Sequence, residues 1–219
     1  GSKGTELPSY HVEVENIFPT FQKYISCMLD LLLKDDEIHD RYKKEEILFL
    51  GPDEGTADFM EWASRYSKTK KYPYWRSFTT GKPQIMGGIP HDIFGMTTRS
   101  VHRYVLGCLN KLNLNEEDVT KCQTGGPDGD LGSNEILISK DKTKTIVDGS
   151  GVLYDPNGLD RIELTRLANE RLMIEHFDSS KLGENGFKVL VTDTNITLPG
   201  TNGEIVKSGM DFRNSFHLH

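Results

Sequence analysis

The stretch Val119-Thr120-Lys121-Cys122-Gln123-Thr124-Gly125-Gly126-Pro127-Asp128-Gly129-Asp130 decides how this chain is read. A strand-like run, Val119–Thr124, meets a glycine-rich turn, Gly125–Gly129, and then a helix-like segment, Asp130–Ser139. A second strand-like run, Lys144–Asp148, follows. Strand, glycine turn, helix and strand in that order predict a parallel βαβ unit. The turn resembles the dinucleotide fingerprint G-x-G-x-x-G, with Thr124 in place of the first glycine and Gly126 and Gly129 as the second and third. Missing Cβ atoms there let backbone amides approach a pyrophosphate and let helix and strand pack closely. The helix behind the turn adds unpaired N–H groups and a partial positive charge. The fingerprint also expects an acid at the end of the second strand, about 20 residues on, to hold the ribose hydroxyls. Asp148 stands there. Gly125, Gly126, Gly129 and Asp148 are therefore candidate coenzyme-binding residues. A carboxylate at that place favours NAD, because it repels a 2′-phosphate and the next arginine along the chain, Arg161, is distant in sequence. Asp128 and Asp130 suit a pyrophosphate site only if they point away from it.

Outward from this stretch the pattern continues. Leu164, Leu167, Ala168 and Leu172 predict the inner face of a second helix, and Phe187–Thr192 predicts a third parallel strand. Upstream, Val101, Tyr104, Val105, Cys108, Leu109 and Leu112 recur at helical spacing. The same holds for Phe21, Tyr24, Ile25, Met28, Leu29 and Leu32, a helix closed by Asp35-Asp36. Ile47–Leu50 reads as a buried strand, and Thr56 as the N-cap of a helix from about Ala57 to Tyr66. Thr79–Gly95 is glycine-rich and predicts loop with short strands. The expectation is an α/β protein in two lobes. Residues 1–95 belong to a substrate-binding lobe, and residues 96–219 to a Rossmann-type, doubly wound coenzyme domain that is incomplete.

Composition narrows the function. A net charge of -7 argues against nucleic acid, whose partners carry a basic excess. The short basic run Lys68–Lys71 reads as a solvated helix end. Cys27, Cys108 and Cys122 are odd in number and lack metal-ligand spacing. Cys27 and Cys108 fall on apolar helix faces and are expected in the core, which implies a reducing compartment, cytoplasm or mitochondrial matrix, and no secretion. No apolar run is long enough to span a bilayer. His217 and His219 have no companion ligands, so no metal is expected. Thr80-Gly81-Lys82 is not a phosphate-binding P-loop, since Arg76 and Pro83 occupy positions that need Gly and Ser or Thr.

A set of ordered motifs then points to a family. Gln123–Gly129, Val147-Asp148-Gly149-Ser150-Gly151 and Asp155-Pro156-Asn157-Gly158-Leu159-Asp160 resemble the coenzyme domain of glutamate dehydrogenases. Thr80-Gly81-Lys82-Pro83, Gly87-Gly88 and Met96-Thr97-Thr98-Arg99 resemble its T-G-K-P, G-G and A-T-G-R motifs in the same order. Gly51–Thr56 resembles its P-A-D-x-x-T loop, and Gly1-Ser2-Lys3-Gly4 the end of its G-G-A-K-G motif. The variants around Gly125–Glu135 and Ile89–Thr98 resemble the large-subunit, fungal-type NAD-specific branch. Asp92-Ile93 stand where small members carry Gly-Arg, so that contact does not transfer.

The resemblance implies oxidative deamination of L-glutamate to 2-oxoglutarate and ammonia, with hydride transfer to NAD. It implies that Lys3 is the catalytic lysine, that Asp53 is the acid shuttling protons at the amino group, and that Thr97 lies near the coenzyme. It also implies a homo-oligomer and a chain that is a piece of a much larger subunit, the isolated piece having little activity. The chemistry needs a base for the attacking water, and a lysine serves if burial or nearby cations pull its pKa down from about 10.4. Two alternatives remain at this point. One is a dehydrogenase acting on another amino acid, and the other is a non-catalytic nucleotide-binding or assembly module.

Overall fold

In a computed structural model, the described residues are 14–33, 39, 41, 50, 51 and 56–216. Lys3, Asp53, His217, His219 and most of the Ile47–Leu50 run lie outside them. The chain divides into two compact units, Gly1–Pro90 and His91–His219.

The first unit is built on a helix pair. Helix α1 spans Val14–Leu32 and buries Phe21, Ile25 and Leu29, spaced four apart on one stripe. Helix α2, Ala57–Thr69, answers with Met60 and Ala63. Aromatic rings fill the seam: Phe18, Phe59 and Trp62 pack against it, and Tyr72 and Phe78 close it from below. Thr56 stands at the N-cap without a side-chain cap bond. Between Thr79 and Gly95 the expected short strands are absent from the described residues. An isolated parallel bridge joins Leu50 to Thr79, and a 3-10 turn spans Gln84–Met86. The reason is backbone chemistry: Gly81, Gly87 and Gly95 take positive φ, and Pro83 and Pro90 interrupt any ladder. The lysine run ends α2 exposed, as a solvated helix end does.

Unit two holds the sheet. Helix α3 is Met96–Lys111, strand β1 is Thr120–Thr124, helix α4 is Asp130–Ile138 and strand β2 is Lys142–Val147. Strands β1 and β2 pair in parallel, with Gln123 opposite Ile146 and a bulge between Lys121 and Cys122. The chain then turns sharply. Strand β3, Gly151–Tyr154, runs antiparallel to β2, and β4, Phe187–Leu190, runs antiparallel to β3. The sheet order is β1-β2-β3-β4. The third strand expected at Phe187–Thr192 thus exists and runs the same way as β1 and β2, but its neighbour is the unforeseen β3. The turn Asp148–Ser150 is too short to carry a crossover helix, so the chain has to return antiparallel.

Helices cover both faces. On one, α4 and α5 (Arg161–Glu170) enclose Ile136, Ile146, Leu153, Leu164, Leu167, Ala168 and Phe177. Helix α5 starts on Asp160, whose carboxylate accepts from the Glu163 amide at 2.8 Å. On the other face Val189 and Phe187 meet Leu198, Val206 and Phe212, contributed by a small hairpin (β5, Ile196–Thr197; β6, Ile205–Val206) and by α6, Gly209–Ser215. The sheet is α/β as expected but mixed in direction, since β3 runs antiparallel to both of its neighbours.

Two expectations about burial are overturned. Cys27 and Cys108 are exposed, as is Cys122. Cys27 sits between the buried positions of α1, on the outer side of the stripe. On α3 only Thr98 is buried; Val101 and Tyr104 are 54% and 78% exposed, so the apolar stripe that includes Cys108 faces outward.

Candidate functional site

The glycine turn leaves the carboxyl end of β1. Gly125 takes φ 108, a conformation open mainly to glycine, and its amide donates to the Val147 carbonyl at 2.8 Å. Gly126 is buried, and a Cβ there would overlap Asp128 Oδ1, at 2.3 Å, and Asp148 Oδ2, at 2.6 Å. Its bareness therefore makes room for two carboxylates that converge on the turn. Gly129 is the N-cap residue of α4 in extended conformation and offers no capping side chain. The first amides of α4 have no i−4 carbonyl to donate to, and they remain donors for an anion.

Asp148 follows the last residue of β2 and is 5% exposed. Its carboxylate accepts from the Ser150 amide at 2.8 Å, the Ser150 hydroxyl at 2.7 Å and the Ile174 amide at 2.8 Å. Arg213 of α6 donates to the Asp148 carbonyl at 2.8 Å. Those donors pin the β2–β3 turn and leave roughly one of about four carboxylate lone-pair positions uncommitted. Nearby, Lys188 of β4 donates to the carbonyls of Glu175 and Phe177, and burial pushes its ammonium below the usual lysine range.

A second helix start stands next to the first. Thr98 Oγ1 donates to the Leu131 carbonyl at 3.1 Å, and Asn134 Nδ2 donates to the carbonyls of Asp92 and Asp130 at 2.9 and 2.8 Å. These bonds hold the N-terminus of α3, with exposed Thr97, against the N-terminus of α4. Of the residues singled out by sequence, Gly125, Gly126, Gly129 and Asp148 come together at the carboxyl ends of β1 and β2, with the helix of Thr97 beside them. Lys3 and Asp53 lie outside the described residues.

The sequence profile of the glutamate/leucine/phenylalanine/valine dehydrogenase family matches residues 87–214, most of the second unit. The chain belongs to this family. Curated relatives include glutamate dehydrogenase 2 of Dictyostelium discoideum, 60% identical across 100% of this chain. The NAD-specific glutamate dehydrogenases of Neurospora crassa and Saccharomyces cerevisiae are 56% and 52% identical across 90% and 99% of it. The chain spans only about a fifth of these relatives, 21%, 19% and 20% of their lengths. Among solved structures, a hetero-hexameric glutamate dehydrogenase of Thermus thermophilus superposes with a TM-score of 0.52 at 21% identity, over 76% of this chain and 38% of that one. The Plasmodium falciparum enzyme gives 0.57 at 19%, over 80% and 36%. At such identities these two establish the fold.

Within this family member, three residues near the loop escaped the sequence reading. Gly132, in the first turn of α4, lies so close to the loop that a Cβ would stand 2.0 Å from the Gly126 carbonyl oxygen. The close-packing role assigned to the third fingerprint glycine thus falls on Gly132, three residues past Gly129. Gln123, 7% exposed, donates from Nε2 to the carbonyls of Gly125 and Gly132 and clamps turn to helix, while its Oε1 is buried without a hydrogen-bond partner. Arg171, which caps α5, reaches back to Asp130. The G-x-x-G spacing of Gly129 and Gly132 was visible and would have found the first. The other two depend on tertiary proximity.

Proposed function

We propose that this chain carries the coenzyme-binding part of an NAD-dependent glutamate dehydrogenase. What carries the reading is the identity of 52–60% to relatives named glutamate dehydrogenase, two of those above being named NAD-specific. The turn geometry supports it. Amides at the start of α4, uncapped by any side chain, suit a pyrophosphate. Asp148, oriented by Ser150 and Ile174, would hold ribose hydroxyls with its remaining lone pair. NAD, when bound, supplies the hydride acceptor. Gly125, Gly126 and Gly129 would bring backbone close to it, and Thr97 would lie near it. Lys3 would activate the attacking water as a base, and Asp53 would take and return the amine proton.

The substrates would be glutamate, 2-oxoglutarate and ammonia, in a homo-oligomer of the longer polypeptide kept in a reducing compartment. Among the described residues no helix is long and apolar enough to cross a membrane. The test uses the full-length polypeptide: NAD reduction is followed with glutamate, leucine, valine and phenylalanine as substrates. Reduction with glutamate alone is expected. Turnover restricted to an apolar amino acid, or nucleotide binding without turnover, would replace this reading.

A further inference from the structure

Three carboxylates crowd the turn that the reading above gives to a diphosphate. Asp128 and Asp148 converge on Gly126, and Asp130 opens α4. A diphosphate placed there meets like charge unless a cation answers it. Arg213 is committed to the Asp148 carbonyl, and among the described residues Arg171 is the cation bonded to Asp128 and Asp130. Its NH1 donates to Asp130 Oδ1 at 2.8 Å and reaches the Asp128 carbonyl at 3.5 Å. Both side chains of the ion pair are partly exposed, 36% for Arg171 and 44% for Asp130, so the guanidinium is free to change partners.

The backbone at Arg171 is also informative. It caps α5 at φ 55, ψ 47, the left-handed conformation at which helices ordinarily end on glycine. A side chain there is carried at some cost in stability. An exposed ion pair with Asp130 repays little of it. The segment that follows is tied to the neighbouring turn, since the Ile174 amide donates to Asp148.

We propose that Arg171 is a diphosphate-binding residue, held in place by Asp130 and passed to the phosphate oxygens of the coenzyme. The proposal rests on the nucleotide reading above. Asp130 is a competitor for the guanidinium, so it sets the affinity from the opposite side. No bond is made or broken; the exchange is one of hydrogen-bond acceptors.

The test is calorimetric titration of the full chain with ADP-ribose, which carries adenosine and the diphosphate, and separately with adenosine, at low and high salt. For Arg171→Gly, ADP-ribose affinity is expected to fall on the order of tenfold and its salt dependence to flatten. Adenosine affinity should stay put, and the thermal midpoint should hold or rise because glycine suits the backbone. Arg171→Lys should recover part of the loss, and Asp130→Asn should tighten ADP-ribose. An Arg171→Gly variant that binds ADP-ribose within about twofold of the wild type, or that loses adenosine equally, overturns the assignment. A wild-type chain that binds neither compound removes the nucleotide reading and this proposal with it.

Discussion

Two turns leave the same end of the sheet, one after β1 and one after β2, and they treat their backbone donors in opposite ways. After β1 the chain passes through Gly125–Gly129 into α4 and returns in parallel. Its capping position holds a glycine, so the first amides of the helix are left available. After β2 the chain turns within Asp148–Ser150 and returns antiparallel. There Asp148 takes up the amides of Ser150 and Ile174 itself. One turn leaves its donors without a side-chain cap; the other consumes them to fix a single side chain in position. A binding crevice needs both, because an anion site without a fixed neighbour selects for charge alone.

The comparison can be broken at three points. Gly132→Ala should do the most damage, since its Cβ would press on the Gly126 carbonyl from the rigid side of a helix. A loss of roughly 3 kcal/mol in urea denaturation is expected. Asp148→Ala should come next. It strands two buried amides and a hydroxyl at a cost of about 2 kcal/mol, read as faster hydrogen exchange at Ile174 while the Gly125 amide, which donates to Val147, stays protected. Deprotection of both would mean that the turns are one cooperative unit and not two devices. Gly125→Ala should matter least. Space is open around it, and a side chain held at φ 108 costs about 1 kcal/mol, visible as a small drop in the thermal midpoint. If it equals the Gly132 effect, backbone strain outweighs packing at this turn.

The two turns also differ in how readily they could be read from sequence. Five strand residues, a glycine cluster and an apolar helix placed β1, α4 and β2 to within about two residues, because period and turn chemistry agree there. The second turn hid its strand. Gly151–Tyr154 is only four residues long and follows Asp-Gly-Ser, which reads as plain loop, so the sequence predicts β4 as a third parallel strand without the β3 that separates it from β2. Taking Thr124 as the first fingerprint position moved the register and passed over Gly132. Arg171 is not legible from sequence, because it stands 41 residues past Asp130 and only the fold brings α5's far end to the loop. The outward stripe of α3 shows the limit of periodicity, which finds an apolar face without saying what covers it.

Strand β1 occupies the rim of the sheet, with β2 as its one ladder neighbour among the described residues. Its outer backbone row is where a further strand of a longer polypeptide would continue the ladder. The same short segment carries the glycine turn at its tip. A strand laid along this margin would stiffen the segment that carries the uncapped amides of α4, so the order of the turn would follow the order of the edge.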